Sequence, residues 1–368
     1  MQTVSISDSQ LLALFVALFV ALFASLAIVF TQRFHGQYTY DLQSGVQRAH
    51  TRPTPRVGGV AIFLALLCAT PLTNQGAQDI LYPTILASAP AFLFGLAEDI
   101  TKRVSAMVRL LATMASGAFA WHLTGFSIAS IGVPVLDHLL GFIVISVLFT
   151  AFAIAGVANA VNLIDGYNGM ASGFVIIALL ALASVAGNAG DVSLQQCALL
   201  CTAAFAGFFL INWPWGRLFM GDSGAYMGGF VVAWFCVLLC QRNESISPFA
   251  ALLICVYPIT ETIFSIWRRV KQGQTPGQPD SSHLHNMIFA KVLTLVPAKT
   301  QHANPVSGLL MALLSVPSAI IAPYIYQSAL ACIGLTLAFV VFYWLTYFTI
   351  KSRSSSIQKQ VWSDMPHD

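Results

Sequence analysis

The chain has 368 residues, of which 57% are hydrophobic and only 8% charged, against about 25% charged in an ordinary soluble domain. One soluble core has no room for that much apolar surface, whereas a bilayer solvates outward-facing apolar side chains. A net charge of +3 with no basic stripe excludes a nucleic-acid binder.

In chain order, apolar runs of the roughly 17–25 residues that cross about 30 Å of hydrocarbon predict spans at 9–31, 57–73, 80–96, 106–125, 137–157, 169–187, 194–212, 223–241, 248–266, 306–325 and 328–350. The first is too long for a signal-peptide core and no Lys or Arg precedes it, so it is expected to be retained. The run at 57–73 is short, and 306–350 divides differently if Pro323 breaks it. The seven cysteines all fall inside apolar runs without the loop spacing of a zinc site. The expected fold class is all-α: a polytopic membrane protein of about eleven transmembrane helices. Residues 1–350 form a single catalytic domain, and 351–368 a cytoplasmic, disordered tail.

Lys and Arg stay on the cytoplasmic side and orient the spans. With eleven crossings, 16 of the 17 basic residues fall on one side, leaving only Arg242 on the other. The N-terminus is then outside and the C-terminus inside. The opposite loops (74–79, 126–136, 188–193, 242–247) are short connectors.

Five polar patches recur on the inner face: PTPRVGG at 53–59, GLAEDITKR at 95–103, NAVNLIDGYNG at 159–169, MGDSGAYMGG at 220–229 and HLHN at 283–286, the last in the longest loop. Glu98, Asp99, Asp165 and Asp222 are hard oxygen donors at helix ends facing one compartment. Gathered there, they repel one another unless a cation joins them, and Mg²⁺ takes oxygen ligands while sharing its shell with water and substrate phosphates. Arg56, Lys102, His283 and His285 supply positive or donor groups for phosphate. Glycines at helix starts allow anions close to backbone N–H groups. Together these point to phosphoryl-type transfer at a diphosphate.

Each patch also has a structural reading. Asp222 fits a helix cap, Glu98–Asp99 a water boundary, Asn159 and Asn162 interhelical bridges, the histidines a solvated loop, and PTPR a turn. Five such patches on one face favour the functional reading. Glu261, near the inner end of the ninth span, is expected to pair with Arg268 or to orient the His loop. A transporter or channel is the rival class, but it needs ionisable groups at mid-membrane, where these spans carry almost none.

From about Arg48 to Asn286, the order and spacing of these motifs resemble the polyprenyl-phosphate N-acetylhexosamine-1-phosphate transferases. NxxNxxDGxxG and GDSG together carry the likeness. The resemblance implies that a UDP-N-acetylhexosamine gives its sugar 1-phosphate to undecaprenyl phosphate and releases UMP, with Mg²⁺ or Mn²⁺ as cofactor. It further implies a site at the cytoplasmic face of a bacterial inner membrane and a homodimeric enzyme. Position by position, it assigns Glu98, Asp99 and Asp165 to catalysis, Asp222 with Asp99 to the metal, and Arg56, Lys102, Asn162, His283 and His285 to substrate. Glu98 stands where the family often has Asp, Asn168 replaces the second Asp of DGxDG, and Asn286 replaces a further His. These departures favour the O-antigen or capsule branch over the muramoyl-pentapeptide branch of peptidoglycan synthesis.

Overall fold

The computed structural model describes residues 8–41, 53–273, 282–295 and 300–363. Arg48, Arg52, Lys299 and the last five residues of the expected tail lie outside them. The described chain folds as α1 Asp8–Thr39, α2 Gly58–Ala69, α3 Gln75–Thr101, α4 Ala106–Thr124, α5 Pro134–Leu140, α6 Ile143–Leu163, α7 Met170–Asn188, α8 Val192–Asn212, α9 Gly221–Arg242, α10 Pro248–Ile254, α11 Val256–Lys271, α12 Leu284–Leu295, α13 Thr300–Leu313, α14 Val316–Ile325 and α15 Ala329–Ser363.

Every expected span coincides with helix. Among the described residues, eight helices are long and apolar enough to cross a bilayer, or nine if α10 and α11 count as one broken span, against the eleven expected. The short α2 falls below that length, and α4, which carries Arg109 and His122, is not among the eight. The ninth expected span is bent by 76°, with Cys255 between its two halves. The tenth runs as one span, His302–Ile325, with its helix interrupted between Leu313 and Val316 and continuous through Pro323. The last helix continues to Ser363, past residue 350 where a disordered tail was expected to begin.

Packing is that of a membrane protein. Along α1, the small residues Ala13, Ala17, Ala21 and Ser25 recur every fourth position and are buried, while Phe15, Phe19, Phe23 and Phe30 are exposed. Small residues let helix backbones approach when no hydrophobic drive operates between them. A Cβ added at Gly207 of α8 would lie 2.2 Å from the Leu18 carbonyl oxygen. α9 is the axis of the bundle: every residue from Gly221 to Leu239 is buried, and it touches α2, α3, α6 and α7.

At the far end of α9, Arg242 donates to both oxygens of Asp191, from Nε at 2.7 Å and Nη2 at 2.9 Å. Asp191 also caps α8 by accepting from the Leu194 N–H. Burial works to raise the Asp191 carboxyl, but the Arg242 hydrogen bonds outweigh it and hold it below the usual carboxylate range. The pair is thus ionised at neutral pH, and its stabilisation is lost as pH falls through that lowered value. Asp191→Ala is expected to cost about 2 kcal/mol, seen as a lower melting temperature in detergent, with Asp191→Asn milder because the amide oxygen still caps α8.

Candidate active site at the inner end of the bundle

The site begins with backbone. Residues 53–59 run beside 216–221, held by Phe219 N–H to the Pro55 carbonyl (2.9 Å), Gly58 N–H to Phe219 (3.0 Å) and Gly59 N–H to Met220 (3.0 Å). Arg56 N–H in turn donates to Thr39 at the end of α1 (2.9 Å). Gly221 has φ +72°, and a Cβ there would meet the Arg56 carbonyl at 2.1 Å, so both its conformation and its space demand glycine. A Cβ on Gly59 would lie 2.3 Å from the Gly224 nitrogen. The sequence patches PTPRVGG and MGDSG therefore meet backbone to backbone.

Asp99, with no solvent exposure, reaches from the last turn of α3 into the start of α9. Its Oδ1 accepts the Asp222 N–H (2.8 Å), and its Oδ2 accepts the Ser223 N–H (2.9 Å) and hydroxyl (2.7 Å). Arg56 Nε lies 3.3 Å from Oδ1. The orphan donors at the start of a helix are commonly capped by its own preceding residue; here another helix supplies the cap. The Asp222 side chain is not spent as that cap and points elsewhere. Its Oδ1 accepts from Arg56 Nη2 (2.9 Å) and Asn162 Nδ2 (3.1 Å), and its Oδ2 is paired with Arg109 Nη1.

Asp165 sits in the turn between α6 and α7 and makes no side-chain hydrogen bond among the described residues. Burial pushes its carboxyl up to about 7; the Arg56 charge opposes this, and Asp99 adds to it. Half-buried Glu98 accepts the Val104 N–H (2.7 Å). Lys102, with φ +57°, turns its ammonium back to the Asp99 carbonyl. Burial first, then the Arg56 charge, pulls that ammonium below its ordinary range.

The histidines adjoin this cluster through Gly166, where an added Cβ would be 3.5 Å from His285 Nε2. HLHN does not lie within a loop: it opens α12. His283 Nδ1 donates to Glu261 Oε1 (3.0 Å), and Tyr343 of α15 donates to Oε2 (2.7 Å). Glu261 thus orients the His segment, the second of its two expected roles. The His283 and His285 rings stack at 5.0 Å, Tyr167 meets His285 edge-on at 5.6 Å, and the Tyr167 hydroxyl donates to Asn286 (2.8 Å). Asn168 faces away from the acids, its N–H on Asn304 (2.8 Å).

Ligand atoms of Glu261, His283 and His285 lie within 4.8 Å of one another, but Glu261 already accepts from His283, the Leu284 N–H and Tyr343. Asp222, Asp165 and Asn162 carry oxygen donors that could serve a hard divalent cation. Half-buried Asp165, its carboxyl raised and without a side-chain hydrogen bond among the described residues, is the kind of group such a cation would satisfy. An apolar groove of about 490 Å³ runs between α6, α9, α10 and α11, from Ser130, Gln241 and Pro248 near the Arg242 end of α9 past Val157 and Ile259 to Ala160.

The structure therefore brings together Arg56, Glu98, Asp99, Lys102, Asn162, Asp165 and Asp222, with His283 and His285 alongside. The sequence reading missed Arg109, which it counted as a topological anchor; its place in the second turn of α4, after the Lys102–Arg103 loop, was the available signal.

A model of the family described as glycosyl transferase family 4 matches residues 81–240, a stretch holding every acid of the cluster. A probable undecaprenyl-phosphate N-acetylglucosaminyl 1-phosphate transferase of Bacillus subtilis is 27% identical over 249 residues, covering 67% of this chain and 69% of its own length. An undecaprenyl-phosphate alpha-N-acetylglucosaminyl 1-phosphate transferase of Yersinia pestis is 28% identical, covering 66% and 67%. A decaprenyl-phosphate N-acetylglucosaminephosphotransferase of Mycolicibacterium smegmatis is 26% identical, covering 65% and 66%. Across its acidic helix ends, and along about two thirds of such relatives, this polytopic membrane chain is similar to glycosyl transferase family 4.

Proposed function

We propose that the protein transfers N-acetylhexosamine 1-phosphate from a UDP-sugar to undecaprenyl phosphate, releasing UMP, at the cytoplasmic face of a bacterial inner membrane. The observation that carries this reading is an acidic and arginine-rich cluster at one end of a bundle of membrane-crossing helices. One ligand must be highly charged and the other mostly hydrocarbon. N-acetylglucosamine is the first sugar to test, because the relatives' names carry it. The single outlying cation, Arg242, sits at the far end of α9 from the cluster, which supports the cytoplasmic orientation.

Transfer forms a bond from a lipid phosphate oxygen to the β-phosphorus and breaks the bond from that phosphorus to the bridging oxygen, which leaves with UMP. A phosphate's second ionisation lies near pH 6, so the lipid nucleophile is largely anionic already and needs placement more than deprotonation. Glu98 is the member of the acidic pair with a second oxygen to orient it. Asp99 is a positioning residue: its hydrogen bonds hold the start of α9 and so aim Asp222. Asp222, Asp165 and Asn162 would hold Mg²⁺ or Mn²⁺, and that ion supplies charge neutralisation of the diphosphate. Arg56 and Lys102 contribute fixed positive charge, and His283, oriented by Glu261, offers its Nε2 edge.

Purified protein incubated with Mg²⁺, undecaprenyl phosphate and a panel of UDP-sugars should release UMP with at least one sugar; no UMP from folded protein would overturn the reading. Asp222→Asn should lower turnover by more than about a hundredfold, the upper end of what loss of a merely supporting partner costs, while the protein stays inserted and folded. Because Asp165 becomes charged only above about pH 7, protons compete with the cation below that value. The apparent Mg²⁺ affinity should therefore weaken as pH drops through about 7, and Asp165→Asn should flatten that dependence.

A further inference from the structure

Asp222 is 4% exposed and shares its surroundings with Asp99 and Asp165. An ionised carboxylate buried in such company is costly unless cations pair with it. Two arginines and an amide do so, and the arginines are not equivalent. Arg56 is anchored several times over: by its N–H on Thr39, by Nε beside Asp99, by Nη1 at 4.0 Å from Asp41 and by Nη2 on Asp222. Among the described residues Arg109 has one hydrogen-bonded anchor, Nη1 on Asp222. Its Nε is buried without a hydrogen-bond partner, and its guanidinium rests 5.8 Å from the Tyr226 ring centre. A guanidinium has five donors in a planar fork that matches phosphate oxygens two at a time. Arg109 therefore keeps most of its binding capacity in reserve, beside the carboxylate where the cation is expected.

We infer that Arg109 is a substrate-phosphate residue held on Asp222 as a stand-in for the divalent cation. In the substrate-free protein it neutralises Asp222; once Asp222 is taken, its fork turns to the diphosphate of the UDP-sugar. The inference rests on the metal-and-diphosphate reading of the site. It differs from a structural ion pair in one respect: the same arginine opposes one ligand and supports the other.

Two binding measurements on the full chain in detergent test it. Mn²⁺ binding without nucleotide, followed by electron paramagnetic resonance, should tighten at least threefold in Arg109→Ala, because a competing cation is gone. UDP binding at saturating Mg²⁺, followed by calorimetry, should weaken about tenfold in the same variant, as loss of a charge-assisted pair predicts. Arg109→Lys keeps the charge but not the fork, so Mn²⁺ affinity should stay near wild type while UDP still weakens. Arg109→Lys also carries the test if Arg109→Ala does not fold. Weaker binding of both ligands in a folded Arg109→Ala, or unchanged UDP binding in Arg109→Lys, would overturn the inference. Wild-type protein that binds no more Mn²⁺ than Asp222→Asn would instead remove the metal reading beneath it.

Discussion

A carboxylate sealed from solvent, Asp99, takes the first N–H groups of the most buried helix in the protein. Nearly everything at the inner end of the bundle depends on that attachment. It fixes α3 to α9, it relieves Asp222 of capping its own helix, and through Arg56 it reaches the end of α1. The negative charge of Asp99 also suits the positive end of the α9 dipole. Losing it would leave two buried N–H groups and a hydroxyl without their acceptor, each a desolvation cost rather than a lost attraction.

Around that attachment the packing follows the rules of lipid rather than water. Small residues line the contacts, large aromatics face outward on α1, and the polar groups concentrate at one end. The opposite end has its own smaller network, in which Arg242 and Asp191 join α9 to the cap of α8. The central helix is thus tied at both ends by ionic groups and along its length by close van der Waals contact. Such an axis suits a site whose groups must be held to within a fraction of an ångström.

Much of this was legible in the sequence because membrane proteins write topology in charge and length. The one-sided Lys and Arg distribution and the five polar patches foretold which helix ends meet. Other features were hidden for physical reasons. Arg109 looked like any cytoplasmic anchor, since a topological rule accounts equally well for every basic residue near an inner helix end. Asp99 and Glu98 are neighbours in sequence, yet helical geometry sends one into the bundle and the other to its edge, and only packing distinguishes them. The 76° break at Cys255 carries no proline of its own, with Pro258 a few residues further on. HLHN reads as loop by polarity, but its first residue is held by Glu261 and the rest begin a helix.

Glu261 has a further implication. Its two oxygens join the histidine segment to Tyr343 on α15, while Arg56 leans on Thr39 at the end of α1. Both of these outer helices lie beyond the 81–240 stretch that defines the family. The site is closed by parts of the chain that a homology boundary would discard. A trimmed core would keep the acids but lose what holds Arg56 and the histidine segment in register. The smallest autonomous unit of this enzyme is therefore close to the whole chain, and fusion or labelling at either end is better joined through a spacer than by shortening α1 or α15.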